Sequence, residues 1–154
     1  MTEKDVLNGF GKIREQYRNK IPDLKTRKQM VKILTDPALH AFFKGVYYLD
    51  QPDGLEGVYA EGKKYAMKKV YLTEFQKTIP FFKDNNLIKI DSKPNIPARF
   101  QISDEGKDLF YKVFDMEEFV IWPALRNLLN DNTNPDEKNT IKENFNKTIE
   151  YILQ

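Results

Sequence analysis

Apolar residues recur at three- and four-residue intervals over most of the chain and switch to strict alternation only once. Val6, Leu7, Phe10, Ile13 and Tyr17 form one stripe and predict a helix over about Glu3 to Lys20, with Thr2 as cap and Asp5 three residues on. Gly9 and Gly11 each cost about 1 kcal/mol relative to Ala, so its first turns need tertiary support. Pro22 ends it, and a short helix with Leu24, Met30, Val31 and Leu34 apolar follows. Asp36-Pro37 is the clearest start signal. An aspartate there accepts from the open amides of the next turn, and proline loses nothing at the first helical position. That helix carries Leu39, Phe42, Phe43, Val46, Tyr47 and Leu49 and runs into the turn cluster Asp50-Gln51-Pro52-Asp53-Gly54. His40 rides on it and reads as a surface or half-buried polar residue.

A short helix is expected next over Glu61 to Val70, with Tyr65, Ala66 and Val70 inward and Lys63, Lys64, Lys68 and Lys69 outward. This leaves residues 54–62 as a loose connection. After Tyr71-Leu72, Thr73 with Gln76 makes a capping-box pattern, and Phe75, Ile79 and Phe82 continue a stripe through Pro80, where a bend is expected. Asn85-Asn86 ends this helix. Leu87 to Asp91 and Arg99 to Ser103 then alternate as two strands around a turn holding Pro94 and Pro97. Ser103 caps a helix through Leu109, Phe110, Val113 and Phe114. A restart is expected at Asp115 with Glu118 and a bend at Pro123. Asn134, Pro135, Asp136 and Glu137 announce a last helix with the stripe Ile141, Phe145, Ile149 and Ile152.

The fold class is therefore mainly α with a small β-hairpin. At 154 residues the chain fits one domain, with helices over 1–35, a core over 36–103 and further helices over 104–154. The absence of cysteine excludes disulfides, thiolate metal sites and a cysteine nucleophile, and one histidine excludes a His-rich zinc site. No signal-like N-terminus or membrane-spanning run is visible, so the expected address is cytoplasmic. Phosphate-loop, dinucleotide, zinc-protease and nucleophile-elbow motifs are all missing, which argues against an enzyme; no cofactor is expected. The acids Asp115, Glu117 and Glu118 read as helix-start residues.

The net charge of +2 divides unevenly. Residues 1–59 carry +2, residues 60–100 carry +5 and residues 101–154 carry −5. A basic zone favours polyanions, because each neutralised phosphate releases counterions.

Helix, turn, helix, short turn, helix and hairpin over 37–103 resembles a winged helix-turn-helix domain. The resemblance is carried by Asp36-Pro37, by Lys64-Tyr65-Ala66, by Tyr71-Leu72-Thr73 and by Phe81 to Ile88 running into the first strand. Phe100 to Phe110, with Ser103, Gly106 and Leu109, is similar to the segment that closes the wing in MarR- and PadR-like regulators. Pro80 and the long stretch 54–62 depart from that pattern. The resemblance implies sequence-specific binding of double-stranded DNA by a transcriptional regulator. A recognition helix at about 73–84 would enter the major groove, and a wing over 87–103 would reach the backbone or minor groove.

The residue chemistry is consistent with that implication. Thr73, Glu74, Gln76 and Lys77 lie on the first turn and a half of the third helix, where Gln pairs with adenine, Glu accepts from cytosine and Lys reaches guanine or phosphate. Lys63, Lys64, Lys68 and Lys69 are candidates for holding the backbone, and Lys93 and Arg99 flank the wing loop. The terminal helices carry apolar stripes beyond the needs of a minimal winged domain. A homodimer through them is expected, since palindromic sites match two-fold proteins. Tyr47, Tyr48, Phe110, Phe114 and Trp122 are candidates either for core or for an effector pocket. The alternative function is a winged-helix module that binds protein without reading DNA.

Overall fold

The computed structural model describes residues 4, 7–11, 15, 21–49, 54–66, 69–113 and 134–154. The architecture is mainly α with one two-stranded antiparallel hairpin. Its elements run α1 (Leu24–Thr35), α2 (Pro37–Tyr48), α3 (Gly54–Gly62), a 3-10 turn (Lys63–Tyr65), α4 (Leu72–Asp84), β1 (Ile88–Asp91), β2 (Arg99–Ile102), α5 (Asp104–Val113) and α6 (Pro135–Leu153). Residues 7–11 are helical as well. The chain divides into two compact units, Lys32–Tyr111 and a second that joins Met1–Val31 to Lys112–Gln154. The Lys32–Tyr111 unit has the helix, helix, helix, hairpin order of a winged helix.

Local chemistry sets the element ends. The Asp36 carboxylate accepts from Ala38 N at 2.9 Å and Leu39 N at 3.3 Å, with Pro37 in the first helical position. Helix α4 closes in a Schellman arrangement. Asn86 takes a left-handed conformation (φ 57°), its N–H reaches Lys83 O at 3.1 Å, and Leu87 N reaches Phe82 O at 2.9 Å. The Asn134 side chain accepts from Asp136 N at 2.9 Å to start α6. Ser103 does more than cap α5. Its Oγ accepts from Gly106 N at 2.9 Å and donates to Asn86 O at 2.6 Å, while its backbone N–H donates to Leu87 O at 3.0 Å.

Helix α2 is the axis of the Lys32–Tyr111 unit, with every residue from Ala38 to Val46 buried. A helix apolar on all sides must be covered on all sides. Phe42 stacks on Phe82 at 5.0 Å and meets Phe75 and Phe100 edge-on at 5.8 and 6.1 Å. Phe43 contacts Phe82 and Phe110 at 5.3 and 5.4 Å. The hairpin pairs Ile88 with Ile102 and Ile90 with Phe100, and Ile88, Phe100 and Ile102 are buried.

Several expectations are corrected. The second helix of the unit spans Gly54–Gly62, not Glu61–Val70; Lys63–Tyr65 is a 3-10 turn and Ala66 is already extended. The reason is packing. A Cβ on Gly62 would lie 2.3 Å from Ala41 O, and one on Gly45 would lie 2.6 Å from Val58 O, so these glycines let α2 and α3 backbones touch. Thr73 does not cap α4. The cap lies two residues earlier, at Tyr71, whose carbonyl accepts from Glu74 N and Phe75 N at 2.9 and 3.2 Å, and the helix begins at Leu72. His40 is not at the surface but 1% exposed, and Leu24 faces out at 39% exposure. As expected, α4 continues through Pro80.

In the second unit Ile141, Thr148 and Ile152 are buried on α6, and Phe145 meets Phe10 at 5.9 Å. The buried Arg27 Nη1 donates to Ile152 O at 2.9 Å and Gln154 O at 3.4 Å, placing a cation on the negative end of α6. The Thr2 cap, Val6, Ile13, Tyr17, the turn at 50–53, Phe114, the Asp115 restart, Trp122 and the Pro123 bend lie outside the described residues.

Candidate nucleic-acid interface

Helix α4 separates its residues sharply. Phe75, Thr78 and Phe82 are buried, and the Thr78 hydroxyl turns back onto Phe75 O at 2.6 Å. Thr73, Gln76, Lys77, Pro80 and Lys83 are exposed, so the expected outward face exists. Glu74 is half-buried rather than exposed. The amides of Leu72 and Thr73 precede the helix's own acceptors and keep their donor capacity at its positive end. Pro80 has no N–H, so the Gln76 carbonyl loses its usual partner on the same outer face.

Along one flank of α4 runs an open groove of about 770 Å³. Lys32, Thr35, Asp36 and the first turn of α2 form one wall, and Glu74, Lys77, Thr78 and Phe81 form the other. Lys32 Nζ lies 5.0 Å from the centre of the Phe81 ring, a cation–π contact that fixes it on this flank. Two lysines and two carboxylates share the groove, so it is no anion cradle. Lys32 comes from α1 and Lys77 from α4, and the Asp36 carboxylate is engaged in capping α2.

The remaining basic residues are placed unequally. Lys63 is exposed, with its Nζ 5.4 Å from the Tyr59 ring centre, and Tyr59 itself is anchored by a 2.9 Å bond to Val70 O. Lys69 is exposed, 5.3 Å from the Tyr71 ring centre. Lys64 is tied to Glu61 at 2.9 Å, a pairing that holds the Glu61 carboxyl below its ordinary range, and Tyr65 Oη adds a 3.2 Å bond to the same carboxylate. Lys64 is therefore the weakest of the expected backbone contacts. Lys68 lies outside the described residues. Lys93 and Arg99 are exposed on either side of the hairpin turn, with Arg99 opposite Asp91 in register.

Sequence reasoning missed Lys32, Lys83 and Lys89. Lys32 belongs to a different helix, and only the tertiary fold brings it beside α4. Lys89 could have been found, since it alternates with Ile88 and Ile90 and so faces away from the core. Of the aromatic candidates for core or pocket, Tyr47, Tyr48 and Phe110 lie among the described residues and pack on one another. Tyr47 lies on Phe110 at 3.6 Å, Tyr48 stacks on Tyr65 at 5.1 Å, and Tyr111 stands 66% exposed beside them. The Tyr47 hydroxyl shares a hydrogen bond with that of Tyr111, which pushes its pKa up to about 12.

Among the described residues no group of three His, Asp or Glu side chains is placed to hold a metal ion, and no helix is long and apolar enough to cross a membrane. Comparison with family models, with curated proteins and with solved structures yields no match.

Proposed function

We propose that this protein binds double-stranded DNA sequence-selectively and regulates transcription. In this reading α4 enters the major groove and the β1–β2 hairpin lies on the adjoining backbone or minor groove. One observation carries it: the outer face of α4, Thr73, Gln76, Lys77 and Lys83, is released from core packing by Phe75, Thr78 and Phe82, and a hairpin bearing Lys89, Lys93 and Arg99 follows it directly. Gln76 and Thr73 supply base-edge donors and acceptors, and the lysines supply phosphate contacts. The protein acts in the cytoplasm as a homodimer through its terminal helices, with no cofactor required.

The test is selection of bound duplexes from a randomised pool, followed by anisotropy titrations across salt concentrations. Five or six neutralised phosphates give a log–log slope of about −5. Reversing the charge at Lys68, Lys69 and Lys77 should abolish binding, and a mass measurement in solution should report a dimer. Unchanged affinity in the charge-reversed variant, or no duplex bound at any salt concentration, would sink the assignment. The exposed Tyr48 and Tyr111, at 44% and 66%, favour a second reading as a protein-binding winged module. That reading predicts partner capture with a flat salt dependence.

A further inference from the structure

The tip of the hairpin carries an apolar side chain that the fold does not use. Ile96 is 55% exposed, the most open of the large aliphatic residues among those described, although the same hairpin buries Ile88, Phe100 and Ile102. It is also held firmly. Pro94 and Pro97 bracket it, Asn95 adopts a left-handed conformation (φ 64°), and Ile96 N reaches back to Lys93 O at 3.4 Å. The arm of the turn is tied to α3, because Gly54 N donates to Ala98 O at 2.9 Å and Gly54 (φ 75°) packs where a Cβ would meet Pro97 at 3.4 Å. The hairpin carries exposed Lys89, Lys93 and Arg99 against Asp91, and the Glu56 carboxylate of α3 lies near its arm, 3.7 Å from where a Cβ on Gly54 would stand.

We infer that Ile96 is an apolar wedge that enters the minor groove, partly unstacks one base step and bends the duplex, while Lys93 and Arg99 sit on the flanking phosphates. The inference rests on the DNA-binding reading above. Its physical basis is charge complementarity around an apolar tip: the cations bring the tip to the phosphates, and the only dry surface a duplex offers there is between base pairs. A wedge of this kind prefers flexible pyrimidine–purine steps, which makes the wing a source of selectivity without base-edge hydrogen bonds.

The experiment uses the full chain and a mixed-sequence duplex carrying 2-aminopurine at pyrimidine–purine steps, with a fluorophore pair at its ends. Wild type should raise 2-aminopurine emission and shorten the end-to-end distance. Ile96→Ala should lose both signals and bind roughly tenfold more weakly, with the salt slope unchanged because no phosphate contact is lost. Ile96→Met should retain both signals. Lys93→Ala should instead lower the slope by about one and keep the unstacking. A wild-type complex that binds without unstacking or bending, or an Ile96→Ala variant that unstacks like wild type, overturns the wedge and leaves DNA binding standing. No binding by wild type overturns both. Ile96-dependent binding to anionic vesicles without any duplex distortion assigns the tip to a lipid surface and likewise overturns the wedge.

Discussion

His40 is the chain's single histidine, and it is 1% exposed in the middle of α2. Burial, reinforced by the Lys44 cation one turn on, drives its pKa down from 6.5 to about 3. The imidazole is therefore neutral in the folded protein at every pH from about 4 upward. In the unfolded chain it takes up a proton near pH 6.5. The unfolded state thus binds more protons below that value, and stability must fall as the pH drops through this window. Each pH unit below the unfolded value costs up to 1.36 kcal/mol, so between about pH 6.5 and pH 5 the loss approaches 2 kcal/mol, or roughly 4–8 °C in melting temperature at this size. Carboxylates contribute little above pH 5, and with one histidine the assignment is unambiguous. Urea denaturation followed by circular dichroism at about pH 7, 6 and 5 measures the slope directly. His40→Leu should flatten it. A wild-type stability independent of pH over this range, or an equal slope in His40→Leu, would refute the buried neutral imidazole.

Gly62→Ala should destabilise the protein by about 1–2 kcal/mol, since overpacking against Ala41 O outweighs the helix propensity that alanine adds; a raised melting temperature would mean that α2 and α3 do not cross this closely. Tyr47 should titrate near pH 12 by ultraviolet difference absorbance, well above an ordinary tyrosine. Because the folded state holds that proton more tightly, its contribution to stability is complete below about pH 10 and is lost as the pH rises towards 12. Tyr47→Phe should remove the late phase, and Tyr111→Phe should bring it earlier.

What could be read from the chain was local chemistry. Asp36-Pro37, Asn85-Asn86, Ser103 and Asn134-Pro135 each satisfy backbone groups within a few residues, so their meaning does not depend on the rest of the fold. The alternation of Leu87 to Asp91 and Arg99 to Ser103 was equally plain, because burial on one face imposes period two. Residues 54–62 were misread because Gly54, Gly57 and Gly62 look like flexibility. The use of Gly62 is a backbone crossing with Ala41, a property of two segments that neither shows alone. His40 carried a usable signal. Before its two terminal tyrosines, Pro37–Tyr48 holds only His40 and Lys44 as polar side chains, and a helix so apolar is central. The outer face of α4 followed from its stripe, whereas the groove wall supplied by Lys32 and Thr35 did not, since nothing in either segment points to the other.

Ser103 has a mechanical meaning. One residue joins three elements: its hydroxyl grips the end of α4 at Asn86 and the start of α5 at Gly106, and its backbone N–H holds Leu87 at the root of the hairpin. Gly106 seals the joint, because any side chain there would strike the Leu87 carbonyl. Such a joint has no hinge. A force on α5 is delivered to the base of the wing and to the far end of α4 together, and neither can tilt without breaking bonds shared by the other. The amides of Leu87, Ser103 and Gly106 should consequently exchange their protons at one common rate, and Ser103→Ala should split that rate into separate ones.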